Sequence, residues 1–214
     1  MNTATLKAPV SIPWGQLGPF IALLIACSFF AFTTERFFSG ENLSLILQQV
    51  TVVGVIAIGQ TLIILTAGID LSVGAITILA MMIMASLAAD NGVPGLLAIA
   101  IGVVLAVGGG FLNGLLVTRV GLPPFIVTLG TLSVALGVAQ IATGGLDIRS
   151  APQVLQDNIG YGRLAGIPAI SIIALVIVII GGVMLHRTRF GQYTYAIGSN
   201  ETSARRVGIN VDRK

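Results

Sequence analysis

The 214-residue chain is 55% hydrophobic and only 9% charged, against about 25% charged residues in soluble domains, and its mean hydropathy is +1.00. Water therefore cannot be its main solvent. The formal net charge is +3, but the basic residues lie at the ends of apolar runs and form no stripe that could neutralise phosphates, which excludes nucleic-acid binding. Cys27 is the only cysteine and His186 the only histidine, so the sequence offers neither a thiolate metal cluster nor the catalytic groups of an intramembrane enzyme.

Six long apolar runs, bounded by charged residues, glycine or proline, follow one another along the chain. A helix needs about 20 mostly apolar residues to cross the hydrocarbon core of a bilayer. The runs cover residues 17–33, 43–67, 71–89, 93–117, 124–143 and 167–185. This pattern predicts an all-α membrane protein, a polytopic bundle of about six transmembrane helices that forms a single domain over residues 1–214.

The positions of lysine and arginine predict the orientation of these helices, because cytoplasmic loops retain positive charge during insertion. With the N-terminus in the cytoplasm, strict alternation leaves Arg36, Arg149 and Arg163 outside. It places the remaining basic residues in the cytoplasm: Lys7, Arg119, Arg187, Arg189, Arg205, Arg206, Arg213 and Lys214. We therefore predict a multi-pass membrane protein with a polar outer loop at 145–166 and a cytoplasmic segment at 186–214.

Asp70 stands between two apolar runs that are too closely spaced for an ordinary polar loop. An ionisable side chain at membrane depth costs about 3 kcal/mol or more unless it is paired or hydrated, so Asp70 is a candidate functional residue. The alternative is a structural cap, in which the carboxylate accepts backbone N–H groups at the start of a helix that begins at Leu71. The two interpretations are compatible.

Neutral polar side chains also occur inside the apolar runs. They can hydrogen-bond a polar solute in a hydrated pathway, or they can join neighbouring helices, which is the more frequent use of such groups in membranes. Both uses are open for four residues that we select as candidates for a substrate pathway: Gln60, Asn113, Thr128 and Thr131.

The polar segment after the sixth run contains the signals of a short helix. Asn200 suits the N-cap, Glu201 the first turn, and Gly208 a left-handed residue after the end, while Arg205 and Arg206 favour the last turn. Such a helix has no core of its own, so it needs a partner. Two small or apolar residues spaced three apart, Ala204 and Val207, are predicted to face a groove in a cytoplasmic protein. A basic helix that lies on anionic lipid headgroups is the alternative.

Two segments resemble the ribose and xylose type of ABC importer permeases. The first reads GQTLIILTAGIDLSVG at 59–74, and the second contains TRFGQY at 188–193, AIGSN at 196–200 and ARRVGINV at 204–211. The resemblance marks Gly68, Asp70, Ser72 and Gly74 as signature positions of the family. It also identifies the helix that couples the permease to an ATP-binding subunit, with Asn200, Glu201, Ala204, Arg205, Arg206, Val207 and Gly208.

The resemblance implies the permease subunit of a bacterial inner-membrane importer, which moves a monosaccharide by alternating access. Ribose or a similar pentose is the leading candidate for this sugar. Its implied partners are two ATP-binding subunits, a second permease subunit, a periplasmic sugar-binding protein and membrane lipid. ATP and Mg²⁺ would belong to the ATP-binding subunits, so we expect no cofactor on this chain and no enzymatic reaction in it. Family members continue through several more membrane helices, so the chain is expected to be truncated after Lys214.

A transporter of another class is also compatible with the residues. In an ion-coupled secondary transporter of a small polar solute, Asp70 would be the proton site and no ATP-binding partner would be needed. Such transporters usually contain more than one buried ionisable group, and the apolar runs offer little besides Asp70.

Overall fold

The computed structural model describes residues 14–145 and 151–211, with side chains from residue 17 onwards except that of Ile159. Four basic residues of the predicted orientation lie outside the described residues: Lys7, Arg149, Arg213 and Lys214. The chain divides into two compact units, Met1–Ile46 and Leu47–Lys214, and the division falls within the second helix.

The first unit contains α1 (Trp14–Thr33), the turn that follows it and the start of α2 (Gly40–Leu65). The side chains of the turn close it. The amide of Asn42 donates to the carbonyl oxygen of Phe37 at 2.8 Å, and the rings of Phe30 and Phe37 stack with their centroids 6.0 Å apart. The first two apolar runs thus correspond to two helices joined by a short, internally bonded turn.

Three helices form the most closely packed part of the second unit. α3 (Val73–Ala89) contacts both α4 (Gly95–Thr118) and α5 (Pro124–Ala142), and α4 also contacts α5. Proline marks two of their starts, because the first turn of a helix leaves its N–H groups unbonded in any case. Pro94 is the N-cap of α4, Pro123 is the N-cap of α5, and Pro124 is the first residue of α5.

Glycines allow α4 to approach α3. A Cβ atom at Gly102 would lie 3.2 Å from the carbonyl oxygen of Ala80, and one at Gly109 would lie 3.1 Å from Cδ1 of Ile76. The two glycines are seven residues apart and therefore lie on one face of α4. Close approach at small residues is the usual way in which helices pack in membranes, where burial of apolar surface supplies little driving force.

The outer loop predicted at 145–166 is folded over its described part. It contains α6 (Gln153–Leu155), a π-helical turn (Gln156–Gly160) and an antiparallel hairpin of β1 (Arg163–Leu164) with β2 (Ile167–Pro168). The sixth apolar helix, α7 (Ala169–Arg187), therefore begins two residues later than the sixth apolar run, because Ile167 and Pro168 belong to the hairpin.

α7 contacts α2 at Ser171 and Gly181. The hydroxyl of Thr51 donates to that of Ser171 at 3.1 Å, and a Cβ atom at Gly181 would lie 3.2 Å from Cγ2 of Ile58. The segment after α7 forms two more helices, α8 (Arg189–Ser199) and α9 (Glu201–Arg206). α8 contacts both α7 and α9.

The described chain contains six apolar helices, which confirms the predicted all-α membrane fold. α2, α4, α5 and α7 are long and apolar enough to cross a membrane, and shorter apolar helices occur at Leu17–Thr33 and Val73–Ala89. Their large side chains point outwards: Ile141 is 83% exposed, Phe111 71% and Val104 69%. Such surfaces are stable only in an apolar solvent, so lipid or other membrane helices must cover them.

Candidate functional site

The segment that carries Asp70 begins with a tightly bonded helix end. α2 stops at Leu65, and the chain then turns through Ala67, whose φ is +59°. The N–H of Gly68 donates to the carbonyl of Ile63, and the N–H of Ala67 donates to that of Ile64, both at 2.9 Å. These two bonds define a Schellman motif, which normally has glycine at the left-handed position. The turn between α2 and α3 is therefore a defined structure and not a loose loop.

The carboxylate of Asp70 binds the start of α3, but not in the way that the sequence predicts. Its Oδ1 accepts the backbone N–H and the hydroxyl of Ser72, each at 2.7 Å. α3 begins at Val73 and not at Leu71, and Ser72 occupies the N-cap position without a side-chain cap bond. The predicted cap is thus corrected: Asp70 closes a short turn before the helix, because its carboxylate bonds a group two residues further along.

A chain of hydrogen bonds leads from Asp70 into the helix bundle. Ser72 is 0% exposed, and its hydroxyl accepts a bond from the amide nitrogen of Asn113 on α4 at 2.8 Å. The amide oxygen of Asn113 in turn accepts from the hydroxyl of Thr131 on α5 at 2.5 Å. We call these four residues, Asp70, Ser72, Asn113 and Thr131, the Asp70 network. The network joins the start of α3 to both helices that pack against it.

The chemistry of the groups determines the direction of every bond in the Asp70 network. A carboxylate can only accept, so the single proton of the Ser72 hydroxyl must point to Asp70. The Ser72 oxygen is then an acceptor for Asn113, which requires the amide nitrogen of Asn113 to face it and the amide oxygen to face Thr131. All donors therefore point towards Asp70, and both polar ends of Asn113 are used within the protein.

Two further polar residues hold the backbone beside Asp70. The hydroxyl of Thr128, 3% exposed on α5, lies 3.3 Å from the carbonyl oxygen of Ile69 and 2.9 Å from that of Pro124. The amide nitrogen of Gln60 on α2 donates to the carbonyl oxygen of Asp70 at 3.1 Å. The amide oxygen Oε1 of Gln60 is buried and has no hydrogen-bond partner among the described residues.

The structure thus brings together the two groups of residues that the sequence analysis selected separately. The four candidate pathway residues each bond the Asp70 segment or a member of the Asp70 network: Gln60, Asn113, Thr128 and Thr131. In this conformation the side chains of Asn113 and Thr131 join neighbouring helices through hydrogen bonds. Contact with a substrate stays a prediction for all four.

The two signature glycines differ in their surroundings. A Cβ atom at Gly68 would lie 2.9 Å from Cγ2 of Ile63 and 3.2 Å from its carbonyl oxygen, so the Schellman motif leaves no room for a side chain there. A Cβ atom at Gly74 would have no heavy atom within 4 Å. No contact within the described chain explains a glycine at position 74.

The predicted signals of the short helix after the sixth span are confirmed. The side chain of Asn200 accepts the N–H of Ser203 at 2.9 Å as the N-cap of α9, and Gly208 has a φ of +85° after its end. Glu201 in the first turn pairs with Arg205 in the last turn, with 3.0 Å between Oε1 and Nη2. Because both side chains are about half exposed, this pair contributes little to stability.

The predicted docking face of α9 needs a correction. Ala204 is only 3% exposed, so the chain itself covers it, whereas Val207 is 77% exposed. α8 contacts α9. The surface of α9 that is open to a partner therefore contains Val207, Arg206 and the Glu201–Arg205 pair, and not Ala204.

α8 is not among the helices predicted from the sequence. Thr188 is its N-cap and accepts the N–H of Gly191 at 3.4 Å, and the buried residues Gly191, Thr194 and Ile197 recur at intervals of three. Their spacing and a threonine N-cap are signals of a helix that buries one face. The pattern was hidden by one glutamine and two tyrosines between these positions, Gln192, Tyr193 and Tyr195, because they make the segment as a whole polar.

No set of three or more histidine, cysteine, aspartate or glutamate side chains lies together as a metal site within residues 17–145 and 151–211. The site consists of hydrogen bonds between helices. It can hold or release the α2–α3 turn against α4 and α5.

Three curated relatives cover most of the chain. It is 37% identical to the fructose import permease protein FrcC of Rhizobium meliloti over 91% of the chain, and 39% identical to the ribose import permease protein RbsC of Bacillus subtilis over 92%. It is 37% identical to the D-allose transport system permease protein AlsC of Escherichia coli over 98%. The chain spans 56%, 62% and 65% of these three proteins, respectively.

A family model of transport permeases matches the larger part of the sequence. No solved structure matches the chain. The model described as the branched-chain amino acid transport system / permease component matches residues 42–214, which include the Asp70 network and both helices after α7. The chain therefore belongs to this family of membrane transport permeases.

Proposed function

We propose that the chain is part of the permease subunit of an ATP-driven importer for a monosaccharide, and that it forms part of the translocation pathway. One observation carries this proposal: relatives that are 36–39% identical over at least 90% of the chain are described as permeases for fructose, ribose or allose. The chain contributes helices and binding surfaces rather than enzymatic groups, and ATP is hydrolysed by partner subunits.

The substrate class follows from what the relatives share. Fructose, ribose and allose differ in ring size and in the orientation of their hydroxyl groups, but all are monosaccharides. Ribose is the first candidate to test, because ribose permeases occur among the relatives from several bacteria. The predicted spans contain no tryptophan or tyrosine on which a sugar ring could stack. We therefore expect a periplasmic binding protein to select the sugar and this chain to bind it only weakly.

The orientation proposed for the chain places the Asp70 network and α8–α9 in or near the cytoplasm. Gln60 of α2, Asn113 of α4 and Thr128 at the start of α5 all contact the segment 69–72 before α3. With a cytoplasmic N-terminus, alternation of the spans puts the end of α7 on this same side, together with Arg187, Arg189 and Arg206. A second permease subunit would complete the pathway.

α9 is the part of the chain that fits a cytoplasmic partner. It is a capped helix with an exposed apolar residue, Val207, beside exposed positive charge, and it has too few residues to be stable on its own. A groove in an ATP-binding subunit with acidic groups at its rim would complement this surface. Alternating access then requires that closure of the ATP-binding subunits moves α9, and that this movement reaches the transmembrane helices.

The proposal is tested by co-purification of the full-length permease with its cognate ATP-binding subunit in mild detergent. Arg206→Glu is the informative variant, because Arg206 forms no ion pair with any described residue, whereas Arg205→Glu would also break the pair with Glu201. We expect Arg206→Glu to weaken binding by about tenfold, since it reverses a charge at the rim of the interface. The matched control is Arg163→Glu in the outer hairpin, which should bind as wild type.

The outcomes separate the proposal from the ion-coupled alternative. Retention of the ATP-binding subunit by wild type and the control, with loss in Arg206→Glu, supports an importer that docks through α9. If folded wild type never retains that subunit, and uptake of labelled ribose, fructose or allose follows the proton gradient and is abolished in Asp70→Asn, the importer proposal is wrong and the secondary transporter is right.

A further inference from the structure

α8 contacts the end of α2 at Gly198. A Cβ atom at Gly198 would overlap the carbonyl oxygen of Leu65 and would lie 3.6 Å from Cα of Thr66. Leu65 is the last residue of α2, so its carbonyl is one of those that the helix itself cannot bond. A methylene group against such a carbonyl allows a close Cα–H···O contact that no other residue type would permit. The two segments that mark the family, 133 positions apart at this contact, thus touch each other.

The end of α2 is connected to Asp70 through bonded backbone. Only four residues separate Leu65 from Asp70, and the Schellman bonds to Gly68 and Ala67 determine the path of the first three. Gln60, one turn before the end of α2, bonds the Asp70 carbonyl directly at 3.1 Å. A shift of the last turn of α2 must therefore move the Asp70 segment or break these bonds.

α8 is also stiffly connected to the helices on either side of it. A single extended residue joins it to α7, and another joins it to α9: Thr188 with ψ of 159° and Asn200 with ψ of 101°. The hydroxyl of Thr188 donates to the carbonyl of Met184 at 2.5 Å, and a Cβ atom at Gly191 would overlap the carbonyl of Leu185. Since neither joint contains a flexible loop, a displacement of α9 is passed to α8.

We propose that Gly198 is a positioning residue through which α8 sets the last turn of α2 and, with it, the turn that holds Asp70. The inference rests on the proposed function, because it supplies the route by which movement of α9 reaches the transmembrane helices. It assigns α8 the mechanical contact with the membrane part, and leaves to α9 the contact with the ATP-binding subunit.

The first test uses the complete complex in proteoliposomes, together with the sugar-binding protein. It measures how many sugar molecules are transported per ATP hydrolysed. Gly198→Ala should retain the ATP-binding subunit, since the surface of α9 is unchanged, but transport per ATP should fall by about tenfold, a typical coupling between two sites. The matched control is Gly182→Ala on α7, where a Cβ atom meets no heavy atom within 4 Å. A wild-type ratio in Gly198→Ala would overturn the inference.

The second test reports on the Asp70 segment itself. In a Cys27→Ala background, Ile69→Cys places a thiol on a side chain that is 50% exposed beside Asp70. We expect its rate of labelling by a maleimide to change when ATP and Mg²⁺ are added, and this response to be lost when Gly198→Ala is also present. A loss of stability alone would alter the rate without ATP but would not remove the response. An unaltered response in Gly198→Ala would contradict the proposed route.

If Gly198→Ala does not fold, a variant that removes side-chain volume tests the same inference. Ile197 is 8% exposed next to Gly198, so Ile197→Ala loosens the packing of α8 by removing volume, and Tyr195→Ala on the exposed face of α8 is its control. Loss of transport per ATP in Ile197→Ala but not in Tyr195→Ala supports the inference, and equal ratios overturn it. If wild type itself shows no ATP-dependent transport, the proposed function fails first.

Discussion

The Asp70 network and the α8–α9 segment are both polar, but they are held together by different kinds of hydrogen bond. In the network, side chains from three parts of the sequence bond one another across helices, as in the 2.8 Å bond from Asn113 to Ser72. In α8–α9, the cap side chains bond the backbone three residues away, as Asn200 bonds Ser203. In the first region, removal of Ser72 or Asn113 breaks bonds to two other side chains. The second loses a single local bond.

The difference shows where each region can change shape. The network ties α3 to α4 and α5, so a movement there must exchange several bonds together. The cap bonds of α8 and α9 lie within each helix, so these helices can move as rigid pieces without breaking them. A transporter that is driven from one end needs both properties, and the following substitutions test whether the two regions have them.

The largest effect is expected for Ser72→Ala. Ser72 is completely buried and bonds both Asp70 and Asn113, so its removal leaves a carboxylate and an amide short of partners. The free energy of unfolding should fall by about 2 kcal/mol, as for other buried groups left unsatisfied. Titration of the purified protein with a denaturing detergent measures it. Ser133→Ala, which removes an exposed hydroxyl bonded within its own helix, is the control and should change little. Equal effects would show that the network does not hold the bundle.

A smaller and strictly local effect is expected for Asn200→Ala. Loss of an N-cap costs about 1 kcal/mol, so amide hydrogen exchange over Glu201–Arg206 should become about fivefold faster while unfolding of the bundle is unchanged. Asn210→Ala, at an exposed asparagine beyond the helix, is the control. Faster exchange throughout the transmembrane helices would contradict the comparison between the two regions.

A double-mutant cycle measures the bond between Asn113 and Thr131. The combination of Asn113→Ala with Thr131→Val should show a coupling energy of about 0.6 kcal/mol, the average for hydrogen bonds between membrane helices. The cycle of Asn113→Ala with Ser133→Ala should show none, because Ser133 points away from the network and bonds Leu129 in its own helix. Additivity in both cycles would remove Thr131 from the network.

The smallest effect expected is a gain in stability. Ala67 adopts a left-handed conformation in the Schellman motif, which is unfavourable for any residue with a Cβ atom. Ala67→Gly should therefore raise the free energy of unfolding by about 0.5 kcal/mol, after the greater entropy of glycine in the unfolded chain is subtracted. Ala57→Gly, in the middle of α2, should instead lower it. A loss of stability in Ala67→Gly would mean that the turn does not control the end of α2.

Local signals in the sequence were sufficient for the helices and for α9. Length and hydropathy predicted six apolar helices in the right order, and the positions of Asn200, Glu201 and Gly208 predicted the caps of the last one, because a cap involves residues three or four apart. α8 was missed because the side chains between its buried positions, Gln192, Tyr193 and Tyr195, make the segment as a whole polar. The start of α3 was misplaced by two residues, because the Asp70 carboxylate bonds Ser72 instead of the first turn of the helix.

The sequence by itself determined that this protein is a bundle of apolar helices with a capped polar segment after the sixth, since hydropathy, proline and capping residues act over a few neighbouring positions. Only the tertiary structure decided that Asn113 and Thr131 extend the chain of hydrogen bonds that starts at Asp70 and Ser72, that Ala204 is covered by its own chain, and that Gly198 meets Leu65. These contacts join residues 18 to 133 positions apart. They depend on how the helices pack, which periodicity along one helix does not specify.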